Sequence, residues 1–114
     1  MELLDAGEMP EAVFCASDEQ AFGVLKAAHE KGVRVPEELA VAGFTDSPMS
    51  NPCDPELTTI DLPIYRLGII AARMLFDVIE DTGSEVTPGE VVLQPKLRIR
   101  RSCGNEKPIN VLFE

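Results

Sequence analysis

The amino-acid sequence predicts an α/β fold in which helices flank a mainly parallel sheet. Two short, continuous apolar runs, 12–16 and 39–44, have the composition of strands that are buried on both faces. Between them, apolar residues recur at helical spacing. Because parallel strands must be joined by crossover segments that are usually helical, this alternation is typical of a βαβ unit.

The first helix carries its own start signal. Ser17 directly follows the first apolar run and is a favourable N-cap residue, and Gln20, three positions later, completes the capping-box pattern. The apolar positions that follow share one helix face: Ala21, Phe22, Leu25 and Ala28. Gly32 predicts the end of this helix, because glycine readily adopts the left-handed conformation found just beyond many helices.

A loop, a third strand and a long helix are predicted next. The segment 45–56 contains three prolines and is therefore expected to be mostly loop. The segment 57–62 alternates and predicts a strand. Pro63 suits the first position of a helix over 63–81, whose apolar residues form one continuous stripe.

The last part of the chain predicts two further strand segments, 90–93 and 96–101. Pro95 interrupts them, because proline cannot donate a hydrogen bond to a ladder. Three basic residues alternate in the second segment: Lys96, Arg98 and Arg100. At a period of two they share one strand face, which we expect to be solvated, with an anion or interdomain contact as the alternative.

Composition excludes several classes of function. The formal net charge of −10 argues against a DNA-binding surface within this chain, because phosphate binding needs clustered Lys and Arg. The three cysteines are far apart, which predicts free thiols and no zinc site. The start resembles no signal peptide, and no apolar stretch approaches the ~20 residues needed to span a bilayer. We therefore expect a cytoplasmic protein without a metal or cofactor.

Two turns are candidates for a ligand site. Ligands of open parallel sheets bind beyond the carboxyl ends of the strands. Ser17 and Asp18 follow the first strand, and Thr45 and Asp46 follow the second. Their hydroxyls and carboxylates can hydrogen-bond a sugar or another polyol. The alternative is structural, since such residues also serve as helix caps and turn residues. Phe14 is expected in the core.

Catalysis is the weaker interpretation. A nucleophile–base pair would require His29 beside Cys15 or Cys53, and no motif indicates such proximity. His29 is expected at a helix surface, and no glycine-rich phosphate loop is present. We therefore expect no enzymatic activity, with a small thiol enzyme as the distant alternative.

Four segments resemble, in order and spacing, the C-terminal part of the lactose-repressor family of transcription regulators. They are 13–23, 32–46, 55–68 and 93–102, with the sequences VFCASDEQAFG, GVRVPEELAVAGFTD, PELTTIDLPIYRLG and LQPKLRIRRS. The resemblance implies a type I periplasmic-binding-protein fold, in which two α/β lobes close over a small ligand.

The resemblance also implies how the chain is organised. Residues 1–104 would form part of an effector-binding domain, and 105–114 a C-terminal tail. Residues up to about Thr58 would belong to one lobe, and the helix 63–81 would pack on the other lobe, most of which is absent from this chain. The apolar stripe of that helix would lose its usual cover, so we expect a homodimer.

The implied function is the sensing of a small, sugar-like molecule for a regulator whose DNA-binding headpiece lies outside this chain. The family's ligand-contacting asparagine corresponds to Ser17, and its ligand-binding aspartate to Thr45, with Asp46 next. Both departures shrink the polar group, so either the ligand differs from a simple hexose or binding is lost. The alternative is a solute-binding protein of a sugar uptake system, which shares the fold.

Overall fold

The computed structural model describes residue 4 and residues 7–80 and 89–104. These fall into two compact units, the first made of the described residues up to Asp61 and from Lys96 onward, and the second lying between Leu62 and Pro95. The division at Leu62 lies close to the position at which the family resemblance predicts that the chain passes from one lobe to the other. The predicted tail, 105–114, lies outside the described residues.

The first unit begins with the predicted strand–helix–strand arrangement. Strand β1 spans Ala12–Phe14, helix α1 spans Asp18–Glu30 and strand β2 spans Ala40–Ala42. β1 and β2 pair in parallel, with Val13 opposite Val41. The predicted α/β class with parallel pairing is confirmed, although both strands are shorter than the apolar runs that predict them.

Two more strands continue the first unit. Strand β3 spans Thr59–Asp61 and pairs antiparallel with strand β4, Lys96–Arg98. A parallel bridge joins Ala42 to Thr58, where the N–H of Gly43 donates to the Thr58 carbonyl at 2.9 Å. Among the described strands, β2 therefore lies parallel to both β1 and β3, and β4 pairs antiparallel with β3.

The ends of α1 follow from local sequence. Ser17 is the N-cap, and its hydroxyl accepts a hydrogen bond from the Gln20 N–H at 3.3 Å. The Gln20 side chain accepts in return from the N–H of Ala16, one residue earlier than in a standard capping box. Beyond the C-cap at Lys31, Gly32 has a φ of 69°. The predicted helix boundaries are confirmed.

The core of the first unit joins α1 to the strands. Its buried apolar residues are Cys15, Ala21, Leu39, Val41 and Leu57. Val13 of β1 and Phe22 and Leu25 of α1 pack against this cluster. The burial of apolar surface, at about 25 cal/mol per Å², holds the start of α1 against the strand ends.

The second unit consists mainly of helix α2, Ile64–Glu80. The predicted helix over 63–81 is confirmed up to residue 80, and residue 81 lies outside the described range. None of the residues of α2 is buried. No helix in the described part of the chain is both long and apolar enough to cross a membrane.

The predicted strand over 90–93 is wrong. Val91 and Val92 are exposed, and strand pairing begins only at Lys96. Pro95 explains this start, because it cannot donate to the ladder. The second predicted segment, 96–101, is a strand only to Arg98, and a 3-10 turn follows it at Arg101–Cys103.

Candidate functional site

Two turns contact each other at the carboxyl ends of β1 and β2. The N–H of Asp18 donates to the carbonyl of Phe44 at 3.2 Å. The turn that follows β1 therefore touches the turn that follows β2. Ser17 and Thr45 are both half-buried and lie at this same edge of the sheet, where parallel sheets bind their ligands.

Asp18 is completely buried, with 0% exposure. One oxygen of its carboxylate accepts from the Thr59 hydroxyl and the other from the Ser47 N–H, both at 2.6 Å. A Cβ on Gly43 would collide with this carboxylate, so no free space remains there. Asp18 therefore ties the first residue of α1 to β3 and to the second turn.

Thr45 and Asp46 have positive φ angles of 116° and 55°. Such angles are unfavourable for residues other than glycine, and for a β-branched residue the cost is of order 1–3 kcal/mol. The Thr45 N–H donates to the Ile60 carbonyl at 2.9 Å, and the Asp46 N–H to the Thr59 hydroxyl oxygen at 3.3 Å. A strained turn held in this way is common at binding sites.

The Asp46 carboxylate is bound within the protein. Its Oδ1 accepts from the Ser50 hydroxyl at 2.7 Å and from Arg100 Nη1 at 2.9 Å. Burial acts to raise the pKa of Asp46, but the hydrogen bonds from Ser50 and Arg100 and the charge of Arg100 outweigh it and lower the pKa below its usual value. Asp46 is therefore ionised and fixed in position.

The prediction that Lys96, Arg98 and Arg100 share a solvated face is confirmed for two of the three residues. Lys96 and Arg98 are exposed, and Arg98 pairs with Asp61 at 2.7 Å. The prediction is wrong for Arg100, whose side chain is only 16% exposed. Arg100 lies beyond the end of β4, so the period-two argument does not apply to it.

Phe14 is 67% exposed, and the expectation that it lies in the core is wrong. Side chains alternate along a strand, and its neighbours Val13 and Cys15 take the core side. The Phe14 ring packs edge-to-face on Phe44, with centroids 6.5 Å apart. Exposed aromatic surface therefore lies beside the two turns.

The edge is an open surface. A depression of about 400 Å³ beside the second turn is lined by residues that include Asp46, Ser50 and Arg100. A larger depression, of about 650 Å³, lies at the opposite ends of the strands near Pro36 and Glu56. We place the candidate site at the carboxyl ends, because the strained turn and the buried carboxylate lie there.

The thiols of Cys15 and Cys53 are poorly suited to nucleophilic catalysis. Burial raises the pKa of Cys15, and burial also raises the pKa of Cys53, whose thiol donates to the carbonyls of Ser50 and Pro55. A nucleophilic cysteine needs a lowered pKa, and His29 is exposed on α1. Among the described residues, which are 4, 7–80 and 89–104, no cluster of three or more His, Cys, Asp or Glu side chains is placed to bind a metal ion.

The structure brings together all four residues that the sequence predicts for the site: Ser17, Asp18, Thr45 and Asp46. Sequence reasoning missed Thr59 and Arg100, which bind the two carboxylates. No local signal marks either residue, since each is more than 40 positions from its partner.

Comparison with known proteins identifies relatives over most of the chain. Residues 1–103 match the family model of the periplasmic binding protein-like domain. Over 101 residues the chain is 41% identical to the HTH-type transcriptional repressor CytR of Escherichia coli K12, which covers 89% of this chain and 29% of that protein. The chain thus spans less than a third of that relative's length.

Solved structures of transcriptional regulators are also similar to this chain. A LacI family transcriptional regulator from Enterococcus faecium with bound ribose has a TM-score of 0.76 at 35% identity, covering 89% of this chain and 36% of that one. Another from Lactobacillus casei, with bound sucrose, has a TM-score of 0.68 at 32% identity, covering 82% and 33%. The chain belongs to the periplasmic binding protein-like domain family, in the form found in LacI-family transcriptional regulators.

Proposed function

We propose that this chain is part of the effector-sensing domain of a transcriptional regulator that acts in the cytoplasm. A small molecule binds at the edge formed by Ser17, Asp18, Thr45 and Asp46 and alters DNA binding by a headpiece outside these 114 residues. The observation that carries the proposal is the hydrogen bond from the Asp18 N–H to the Phe44 carbonyl, because it joins the turns after two parallel strands.

The side chains at this edge favour a hydroxyl-bearing ligand with one apolar face. Ser17 and Thr45 offer short hydroxyls that can donate and accept hydrogen bonds. The exposed ring of Phe14 offers an apolar surface next to them. Ribose and sucrose, which are bound by two similar regulators, have this chemistry and are the first compounds to test.

In this proposal the effector acts through differential affinity. A ligand shifts a regulator between two arrangements only if it binds one of them more tightly. The alternative, a solute-binding protein for uptake, shares the fold, but the similar proteins named above are transcriptional regulators, which favours the regulator. The raised pKa values of Cys15 and Cys53 favour a non-enzymatic role.

We also propose that the chain forms a homodimer through α2. Large apolar side chains of this helix are exposed: Ile64, Leu67, Leu75, Phe76 and Ile79. An apolar face of this kind usually binds a partner. The charged residues of α2 fall on the other side of the helix at about 3.6 residues per turn: Arg66, Arg73, Asp77 and Glu80. The apolar face of α2 therefore carries no charge, and the same face of a second copy can pack against it.

Effector binding can be tested by thermal unfolding and calorimetry of the chain with ribose and with sucrose. Free ligand at one hundred times its Kd stabilises a protein by about 2.7 kcal/mol. Phe14→Ala should weaken binding with only a small loss of stability, because the ring is mostly exposed and packs on Phe44. Met9→Ala is the control, since Met9 is also exposed but precedes β1, at the end of that strand opposite to the two turns. Failure of both sugars to bind or stabilise the chain would contradict the proposal.

A further inference from the structure

Three consecutive amides of the second turn are held by three different partners. The N–H of Thr45 donates to the Ile60 carbonyl, that of Asp46 to the Thr59 hydroxyl oxygen, and that of Ser47 to Asp18. The turn therefore has no free amide at the residues with positive φ or at the residue that follows them.

Two of these partners are joined to each other. The Thr59 hydroxyl donates to Asp18 Oδ1 at 2.6 Å, and both side chains are 0% exposed. The hydroxyl hydrogen thus goes to Asp18, while the hydroxyl oxygen accepts from Asp46. Displacement of Thr59 would release the Asp46 amide and would take from Asp18, which holds the Ser47 amide, the hydroxyl that fixes its other oxygen.

The Asp18 carboxylate is not needed to start α1. Ser17 caps the helix by accepting from the Gln20 N–H. Both oxygens of Asp18 instead bind Thr59 and Ser47, outside the helix. The side chain has no room to turn toward a ligand, since even a Cβ on Gly43 would collide with it.

We propose that Asp18 and Thr59 are positioning residues of the effector site. They fix the strained backbone of Thr45 and Asp46 before ligand binds, and so set the direction of the Thr45 side chain. A site fixed in advance avoids the cost of ordering a loop on binding. This inference rests on the proposed effector-binding function and assigns Asp18 a role through the turn instead of a ligand contact.

The main test variant is Thr59→Val, which keeps the buried volume and removes the hydroxyl. Thr59→Ser restores the hydroxyl and is the rescue variant. Ser102→Ala is the matched control: Ser102 is also 0% exposed, and its hydroxyl joins the Val41 carbonyl and the Thr58 N–H, away from the turn. Each of Thr59→Val and Ser102→Ala removes one buried hydroxyl that bridges two elements.

Amide hydrogen exchange gives a readout that needs no ligand. In Thr59→Val, exchange of the Asp46 and Ser47 amides should accelerate at least about tenfold more than exchange of the Cys15 amide, which donates to the Ala42 carbonyl in the core, because a bond to a buried charged group is lost. In Ser102→Ala the turn amides should accelerate no more than the Cys15 amide. Equal acceleration of turn and core in Thr59→Val would overturn the proposal.

Ribose affinity, measured well below the melting temperature, tests the link to the site. Thr59→Val should weaken binding about tenfold or more, Thr59→Ser should restore it, and Ser102→Ala should leave it unchanged. If the unaltered chain binds neither ribose nor sucrose, the proposed function fails, and amide exchange alone decides whether the turn depends on Thr59. Unchanged ribose affinity in Thr59→Val would refute the positioning role.

Discussion

The guanidinium of Arg100 lies 2.9 Å from the Asp46 carboxylate, although 54 positions separate the two residues in the sequence. The same nitrogen also donates to the Ser50 hydroxyl oxygen and to the Leu57 carbonyl. The Arg100 side chain, which follows β4, therefore holds the turn that follows β2. The segment after β4 thus helps to form the candidate site.

Removal of this guanidinium should destabilise the first unit. Arg100→Met removes the charged partner of the Asp46 carboxylate and the donor to the Leu57 carbonyl, and we expect the free energy of unfolding to fall by about 1–3 kcal/mol. Arg98→Met is the control, because Arg98 pairs with Asp61 at an exposed position and such pairs contribute about 0–1 kcal/mol. Urea unfolding measures both changes, and equal losses would contradict the assignment.

The same pair predicts a dependence of stability on pH. The pKa of Asp46 in the folded chain is lowered from its ordinary value, which is about 3.9 in an unfolded chain. The ionised carboxylate therefore stabilises the fold above that value, and the contribution is lost as pH falls through the folded-state pKa.

Arg100→Met should lack most of this acid-sensitive contribution. The stability difference between the unaltered chain and the variant should be largest near neutral pH and should narrow as the pH falls below about 4. Urea titrations at several pH values measure it. A difference that stays constant over this range would show that Arg100 acts by packing alone.

Two glycines provide a matched pair for the close contact at Asp18. Gly43→Ala places a Cβ against the Asp18 carboxylate and near Leu57, and we expect a loss of roughly 1–3 kcal/mol of stability from overpacking. Gly23→Ala, in the middle of α1, meets no atom within 4 Å. It should stabilise the chain by about 0.5–1 kcal/mol, because alanine favours a helix. Thermal unfolding of the two variants should show opposite signs.

Dimerisation through α2 predicts a change in mass on substitution. The unaltered chain should sediment as a dimer at micromolar concentration, and Leu75→Glu should shift it toward the monomer by placing a charge on the apolar face. Met49→Glu is the control, because Met49 is similarly exposed but lies in the first unit. A monomer in the unaltered chain would contradict the proposal.

The elements that could be predicted from the sequence are those fixed by neighbouring residues. Ser17 and Gln20 lie three positions apart, so the start of α1 is visible as a local pattern. The parallel order of β1 and β2 follows from the helix between them.

Features that depend on the strand face or on distant partners could not be predicted. The apolar run 12–16 predicts a strand but does not show which face each residue takes, so the expectation that Phe14 lies in the core is wrong. Thr59 and Arg100 lie 41 and 54 positions from their carboxylate partners in the sequence. Such contacts arise only from the tertiary arrangement, and periodicity carries no information about them.

The pairing of β3 with β4 has a consequence for engineering. Asp61 and Lys96 are opposite each other in the ladder, so the chain leaves the first unit and returns to it at adjacent points. The whole excursion from Leu62 to Pro95 could be excised and replaced by a tight hairpin turn without moving either strand. Cutting after Asp61 and before Lys96 would therefore leave the first unit as a minimal scaffold.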